Sequence, residues 1–213
     1  MDALTAIAER QGVLRYRPDP VEPEKVDAVL QAAAAAPSTA NLQGWAFVVV
    51  TDRDKTRQIA HYLVDVQERR VFRELLGMPD EYTARLMGLY ETFDQAPCFV
   101  FVCLEPKVRF ALTEHEAVLR QWYLVSLGAA MQNLMVAATA LGLGTRWFGG
   151  FNLEDPGDWL TEFLGVPPDE PYKPRPVQEP AQVAGFRRGD SRALGRMLKG
   201  KLSPDLVVHF DRW

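Results

Sequence analysis

Two short runs are dense in β-branched and aromatic residues: Ala46–Thr51 (AFVVVT) and Cys98–Leu104 (CFVFVCL). Both read as strands buried on two faces. Elsewhere the apolar positions follow a helical period. Leu4, Ile7 and Ala8 predict a helix over 2–11, with Gly12 placed to end it. Val26, Val29, Leu30 and Ala33 make one face of a helix over 24–36, with Pro23 in its first turn and Pro37 as its stop. Between them, 13–21 reads as an extended crossing. A helix over 54–65 follows the first strand. Residues 66–94 are helical and broken near Gly77–Pro79, and their aromatics and mixed charges predict a cover. The stretch 116–141 is apolar nearly all round, which predicts a helix buried on most faces and ended by Gly142 and Gly144. A short helix at 159–163, a proline-rich surface segment at 167–180 and a last strand at 207–210 complete the chain. This pattern predicts a single α+β domain whose long apolar helix also serves a subunit interface.

Composition narrows the function classes. At 213 residues, 47% hydrophobic and 24% charged, the chain is an ordinary folded protein. Its net charge of −4 and the lack of a basic stripe argue against nucleic acid as the main partner. No run of about 18 apolar residues escapes a charge or turn signal, so no membrane span is expected; the mixed-charge start MDALTAIAERQG does not read as a signal peptide. Cys98 and Cys103, five apart on a strand, point to opposite faces and make a poor disulfide or metal pair. Small buried side chains in a reducing, cytoplasmic compartment are expected. His61, His115 and His209 stand singly, so no metal site is predicted. Phosphate-loop, dinucleotide and nucleophile-elbow glycine motifs do not occur.

What remains are loops suited to holding a ligand. Arg10-Gln11-Gly12 offers a cation, an amide and a glycine; Pro37-Ser38-Thr39-Ala40-Asn41 offers hydroxyls and amides before a buried strand. Trp147-Phe148-Gly149-Gly150-Phe151 is a turn whose glycines allow close backbone approach to a flat ligand. Lys199 and Lys201 add two cations ahead of the last strand. A ligand with a phosphate, a polyol and an aromatic ring would use all four. Each also has a plainer reading, as helix-end cation, turn or solvated charge.

In this order the loops resemble the FMN-dependent nitroreductase family, from Arg10 to Gly165 and again at the C-terminus. AAAAAPSTANLQGWAFVVVTD is similar to the family's A-A-x-x-A-P-S-x-x-N-x-Q-P-W-x-F-x-V-V. LGAAMQNLMVAATALGLGTRWFGGF resembles its long interface helix and flavin loop, and LVVHFDRW its usual ending. The resemblance implies a three-layer α+β fold, a central mostly antiparallel sheet flanked by helices, and homodimers with FMN at the interface. It also implies a C-terminal arm at 202–213 that joins the partner's sheet.

The resemblance places Arg10, Gln11 and Gly12 on the FMN phosphate segment. Leu14 falls where a second cation is usual, and Lys199 and Lys201 on the basic pair completing the phosphate pocket. Pro37, Ser38, Thr39 and Asn41 fall on the loop lining the flavin from the partner subunit, and Phe148, Gly149 and Gly150 on the loop facing the isoalloxazine. Gly44 stands where the family has proline, and after Leu164-Gly165-Val166-Pro167 the chain turns proline-rich, leaving any further strand near 182–186. The implied reaction is hydride transfer from NADH or NADPH to flavin N5, then reduction of a nitroaromatic, quinone or similar small acceptor in ping-pong order. The alternatives are a flavin-sequestering protein with little turnover and a same-fold enzyme with another flavin reaction, such as dehalogenation or flavin fragmentation.

Overall fold

The computed structural model describes residues 1–104, 116–149, 159–165 and 208–210. Its elements are α1 (Ala3–Glu9), α2 (Pro23–Ala34), β1 (Trp45–Val50), α3 (Arg53–Val66), a π-helix (Gln67–Leu75), α4 (Asp80–Met87), β2 (Phe99–Leu104), α5 (Glu116–Ala140), α6 (Trp159–Leu164) and β3 (Val208–Phe210). β1 lies at the centre of the order β2-β1-β3, antiparallel to β2 and parallel to β3. The expected helix-and-sheet fold is present, with its predicted strands and long helix within a residue or two of their boundaries.

All six residues of β1 are buried. Val48 and Val50 pack with Ile59, Leu63, Phe72, Tyr90, Phe93, Phe101, Leu160 and Leu164 on one face. Trp45, Phe47 and Val49 pack with Val26, Leu30, Ala33 and Ala130 on the other. Cys98 packs on the second cluster and Cys103 on the first, the opposite faces that their spacing predicts. Residues 67–95 do cover the first face, through Phe72, Tyr90 and Phe93, with Tyr82 left exposed.

Local chemistry explains the helix ends. Asp2 and Asp52 accept N-terminal amides of α1 and α3, and Pro23 takes the first position of α2. Past α5, the Gly142 amide donates to the Thr139 carbonyl and the Leu143 amide to Ala138, with Gly142 at φ 78°. This is a Schellman closure, and its left-handed residue is the reason for glycine there.

Five expectations change. β2, expected to be buried on both faces, is half-buried apart from Phe101, and Cys98 and Cys103 are half-buried with it. The first helix stops at Glu9, before Gly12; it buries Ala6 and leaves Leu4 and Ile7 exposed. α5 is not buried on most faces: Tyr123, Ser126, Ala130, Met135 and Ala138 point inward, while Trp122, Leu124 and Val125 are exposed, Val125 by 73%. Among the described residues, packing partners lie on only one side of a helix that is apolar all round. The stretch Arg120–Ala140 is also long and apolar enough, by length and composition alone, to cross a membrane; in the fold it packs against α2 and the sheet. Finally, Val208–Phe210 pairs with Phe47–Val49 of its own chain. The strand thereby fills an edge of β1 that would otherwise present unpaired backbone groups.

Gly44 acquires a physical reason. A Cβ at this position would overlap Cε1 of the buried Tyr123 ring. Gly44→Ala is expected to lose about 1–3 kcal/mol in urea unfolding, the usual cost of overpacking. In a Tyr123→Leu background the added cost should shrink, because the clashing ring is gone.

Candidate functional site

The structure sorts the predicted residues into two groups. The first lies where the crossing segment after α1 meets the loop after α5. Gly12 and Thr145 form a parallel bridge, and the Val13 amide donates to the Thr145 carbonyl at 2.9 Å. The approach is close: a Cβ on Gly144 would come within 2.8 Å of Val13 Cγ2. Arg10, Gln11 and Gly12 are thereby held beside the strand-like exit from α5 that leads to Phe148 and Gly149. Arg10 is half-buried, and Gln11 and Gly12 are exposed.

Two members of this group turn their side chains inward. Leu14 packs against the first core cluster. Phe148 lies in an aromatic cluster, 5.6 Å from the Phe93 ring and 6.4 Å from Tyr90. Any contact from position 148 to a ligand therefore falls to its backbone. Gly150, Lys199 and Lys201 lie outside the described residues.

The second group is the turn Pro37–Asn41, which leads into β1. Its conformation is strained. Ala40 (φ 48°), Asn41 (φ 55°) and Gln43 (φ 48°) all adopt left-handed backbone without being glycine. Such a residue costs roughly 1–2 kcal/mol unless glycine or a local hydrogen bond relieves it, so the surroundings must hold it. The Ser38 hydroxyl accepts from the Gln43 amide at 2.9 Å. The Gln43 side chain is buried and donates Nε2 to the Asn41 carbonyl at 3.2 Å. Ser126 on α5 accepts the Thr39 amide at 3.3 Å and donates to the Trp122 carbonyl at 2.8 Å. Strain held this way is a mark of a functional loop.

The two groups attach to α5 far apart. The turn is tied at Ser126, and the Arg10–Gly12 segment meets the chain just beyond Ala140. At about 1.5 Å per residue these attachments are separated by roughly 20 Å along the helix. Within one chain the groups do not converge.

Sequence reasoning missed three residues. Gln43 sits inside the quoted motif, and its burial beside the turn is what gives it a role. Ser126 carries no signal, being one small polar residue in an apolar helix. Arg146 directly precedes the Trp147–Phe151 turn without belonging to it. Its Nη2 donates to the Tyr90 hydroxyl at 3.0 Å, and its guanidinium carbon lies 5.6 Å from the centre of that ring. Burial pushes the nearby Tyr16 phenol up to about 12, against the opposing pull of the Arg146 charge. Tyr90 is raised for the same reason, again with Arg146 opposing. Both phenols thus stay neutral at physiological pH.

These residues fit a phosphate-bearing, ring-containing ligand. The donor set combines Arg10, exposed backbone at Gln11–Gly12 and Arg146, whose Nε is buried without an acceptor among the described residues. A Cβ on Gly12 would meet only Arg146 Nη1, at 3.5 Å, so the backbone there is open to close approach.

Comparison with known proteins identifies the family. The family model described as the nitroreductase family matches residues 7–175, so the chain belongs to the nitroreductase family, and it is an oxidoreductase. A Methanothermobacter thermautotrophicus protein named NADH dehydrogenase/NAD(P)H nitroreductase is 27% identical over 214 residues, covering 100% of this chain and 88% of that protein. A Rhodospirillum rubrum protein named 5,6-dimethylbenzimidazole synthase is 28% identical over 167 residues, covering 78% of this chain and 76% of its own. The crystal structure of a Bacteroides fragilis nitroreductase with bound FMN shares the fold at a TM-score of 0.50 and 23% identity, covering 71% of each chain.

The strained turn yields a test. Ala40→Gly removes a left-handed alanine and should raise stability by about 0.5–1 kcal/mol in urea unfolding. Unchanged or lower stability would mean that position 40 is not left-handed in solution.

Proposed function

We propose that the protein is an FMN-dependent oxidoreductase that takes electrons from NADH or NADPH and delivers them to a small acceptor such as a nitroaromatic or quinone. The observation that carries this reading is the Gly12–Thr145 bridge, which sets the Arg10–Gly12 segment against the turn containing Gly149. When bound, FMN would supply two-electron chemistry, which no side-chain constellation among the described residues offers.

The chain's own residues would bind and orient. Arg10 and the Gln11–Gly12 backbone hold the phosphate, with Lys199 and Lys201 expected to complete that pocket. The backbone at Gly149 and Gly150 approaches the ring edge. The turn of Pro37, Ser38, Thr39 and Asn41 gives hydroxyl and amide groups a fixed aim, because Gln43 and Ser126 leave it little freedom. Tyr90, Phe93 and Phe148 form an aromatic cluster that fixes Arg146 through the Tyr90 hydroxyl.

A homodimer follows from the same geometry. The two site groups are separated along α5, and the helix exposes Trp122, Leu124 and Val125 near its turn-bearing end. Packing α5 against its copy would cover this face and bring the turn of one protomer toward the Arg10 segment of the other. A reducing cytoplasmic setting suits Cys98 and Cys103, which are not joined in a disulfide.

A second reading keeps FMN and changes the reaction. It is favoured by the relative named for 5,6-dimethylbenzimidazole synthesis, which matches over 78% of the chain.

Absorption spectra of purified protein test these readings. The oxidoreductase reading expects a yellow dimer that bleaches with NADH or NADPH under argon and recovers on adding a quinone. Colour that ignores both nucleotides would instead support a flavin-sequestering protein or the second reading. Protein that stays colourless with excess FMN, its melting temperature unmoved, would sink all three. Arg10→Ala should weaken FMN binding by about 1.5–3 kcal/mol, the worth of a charged hydrogen bond, measured by fluorescence titration of the apoprotein.

A further inference from the structure

Arg146 is the one charged residue between Arg120 and Glu154, a stretch otherwise made of apolar and neutral polar residues. Its side chain is half-buried, and no carboxylate pairs with it among the described residues. Its hydrogen-bond partner there is the neutral Tyr90 hydroxyl, and its Nε is buried with no acceptor. Partly desolvating a cation is costly unless an anion or a full set of acceptors compensates. Tyr90 supplies one acceptor and a ring face, which position the guanidinium without neutralising it.

The direction in which this charge is held is informative. Nη1 lies 3.5 Å from where a Cβ of Gly12 would stand, so the guanidinium borders the Gln11–Gly12 backbone, directly after Arg10. Leu14 brings no charge to that segment, because its side chain is part of the core. A cation arriving from the loop after α5 thus reaches the segment that lacks its own second cation.

We propose that Arg146 is a second cation for the FMN phosphate, acting with Arg10 across the Gly12 backbone. Tyr90 is its positioning residue. The assignment rests on the FMN reading above and goes beyond it by naming a ligand-binding residue on a different loop.

The experiment compares two flavins that differ in the phosphate. Wild-type and variant apoproteins are titrated with FMN and with riboflavin by fluorescence quenching. Arg146→Gln is expected to weaken FMN about ten- to hundredfold, with riboflavin affinity unchanged. Arg146→Lys should restore part of the FMN affinity. Tyr90→Phe should cost FMN less than Arg146→Gln, since the charge remains. Equal losses for the two flavins would place the charge on the ring or in the fold, and no loss for either would leave it without a ligand role; both overturn the assignment. Should Arg146→Gln not fold, the FMN-to-riboflavin ratio of Arg146→Lys decides in the same way. Wild-type protein that binds neither flavin overturns the cofactor reading itself, and this assignment with it.

Discussion

The burial of β1 is the constraint on which the rest depends. Its side chains alternate between two clusters, so α3, the cover and α6 are needed on one face and α2 and α5 on the other. The energetic scale explains what the strand can support. Phe47, Val48, Val49 and Val50 together are worth roughly 6–12 kcal/mol of burial. Three left-handed residues in the turn just before the strand cost roughly 3–6 kcal/mol. Burial wins, and the chain tolerates a turn of unfavourable geometry because the adjoining strand is so firmly fixed. Gly44 sits at the junction, under the Tyr123 ring, where turn and strand must both be satisfied.

α5 carries the second constraint. Among the described residues, α2 and the sheet cover one face of this apolar helix and leave Trp122, Leu124 and Val125 exposed. On the proposed reading, that face is covered by a second copy of the chain. Cofactor binding and association are then coupled. The strained turn hangs from Ser126, the Arg10 segment lies beyond the helix end, and only an antiparallel copy of α5 would bring unlike ends together.

Much of this architecture is legible in the sequence wherever the signal is local. The uninterrupted AFVVVT run specifies a doubly buried strand, the Cys98–Cys103 spacing their opposite faces, and Pro23 and Gly142 the helix limits that the caps confirm. The illegible parts are those decided by partners distant in the chain. Leu4 and Ile7 have helical spacing but no neighbour to cover them. Ala40 and Gln43 give no hint of positive φ, because their conformation is imposed by Ser38 and by Ser126, which lies 87 residues from Thr39. Arg146 has no local mark beyond a charge in an apolar stretch; its partner Tyr90 is 56 residues away. The nine-residue π-helix has no sequence mark beyond its helical pattern.

That π-helix bears on where specificity can reside. The cover is anchored at one end by Tyr90 and Phe93, which are packed with Phe99, Phe148 and Tyr16. At its other end, residues 67–80 are tied mainly by surface ion pairs: Arg69 with Asp65, Arg70 with Glu74, and Arg73 with both Glu68 and Asp80. Pairs this exposed are each worth at most about 1 kcal/mol, and only Gln67 and Phe72 of the π-helix are buried. The cover is thus held firmly beside the Arg10 segment and weakly away from it. Such a division lets the cofactor-facing end remain constant while substitutions at the ion-paired end reshape what can lie beneath it. On the proposed reading, acceptor choice is expected to depend on residues 67–89, and cofactor affinity on Arg10, Tyr90 and Arg146.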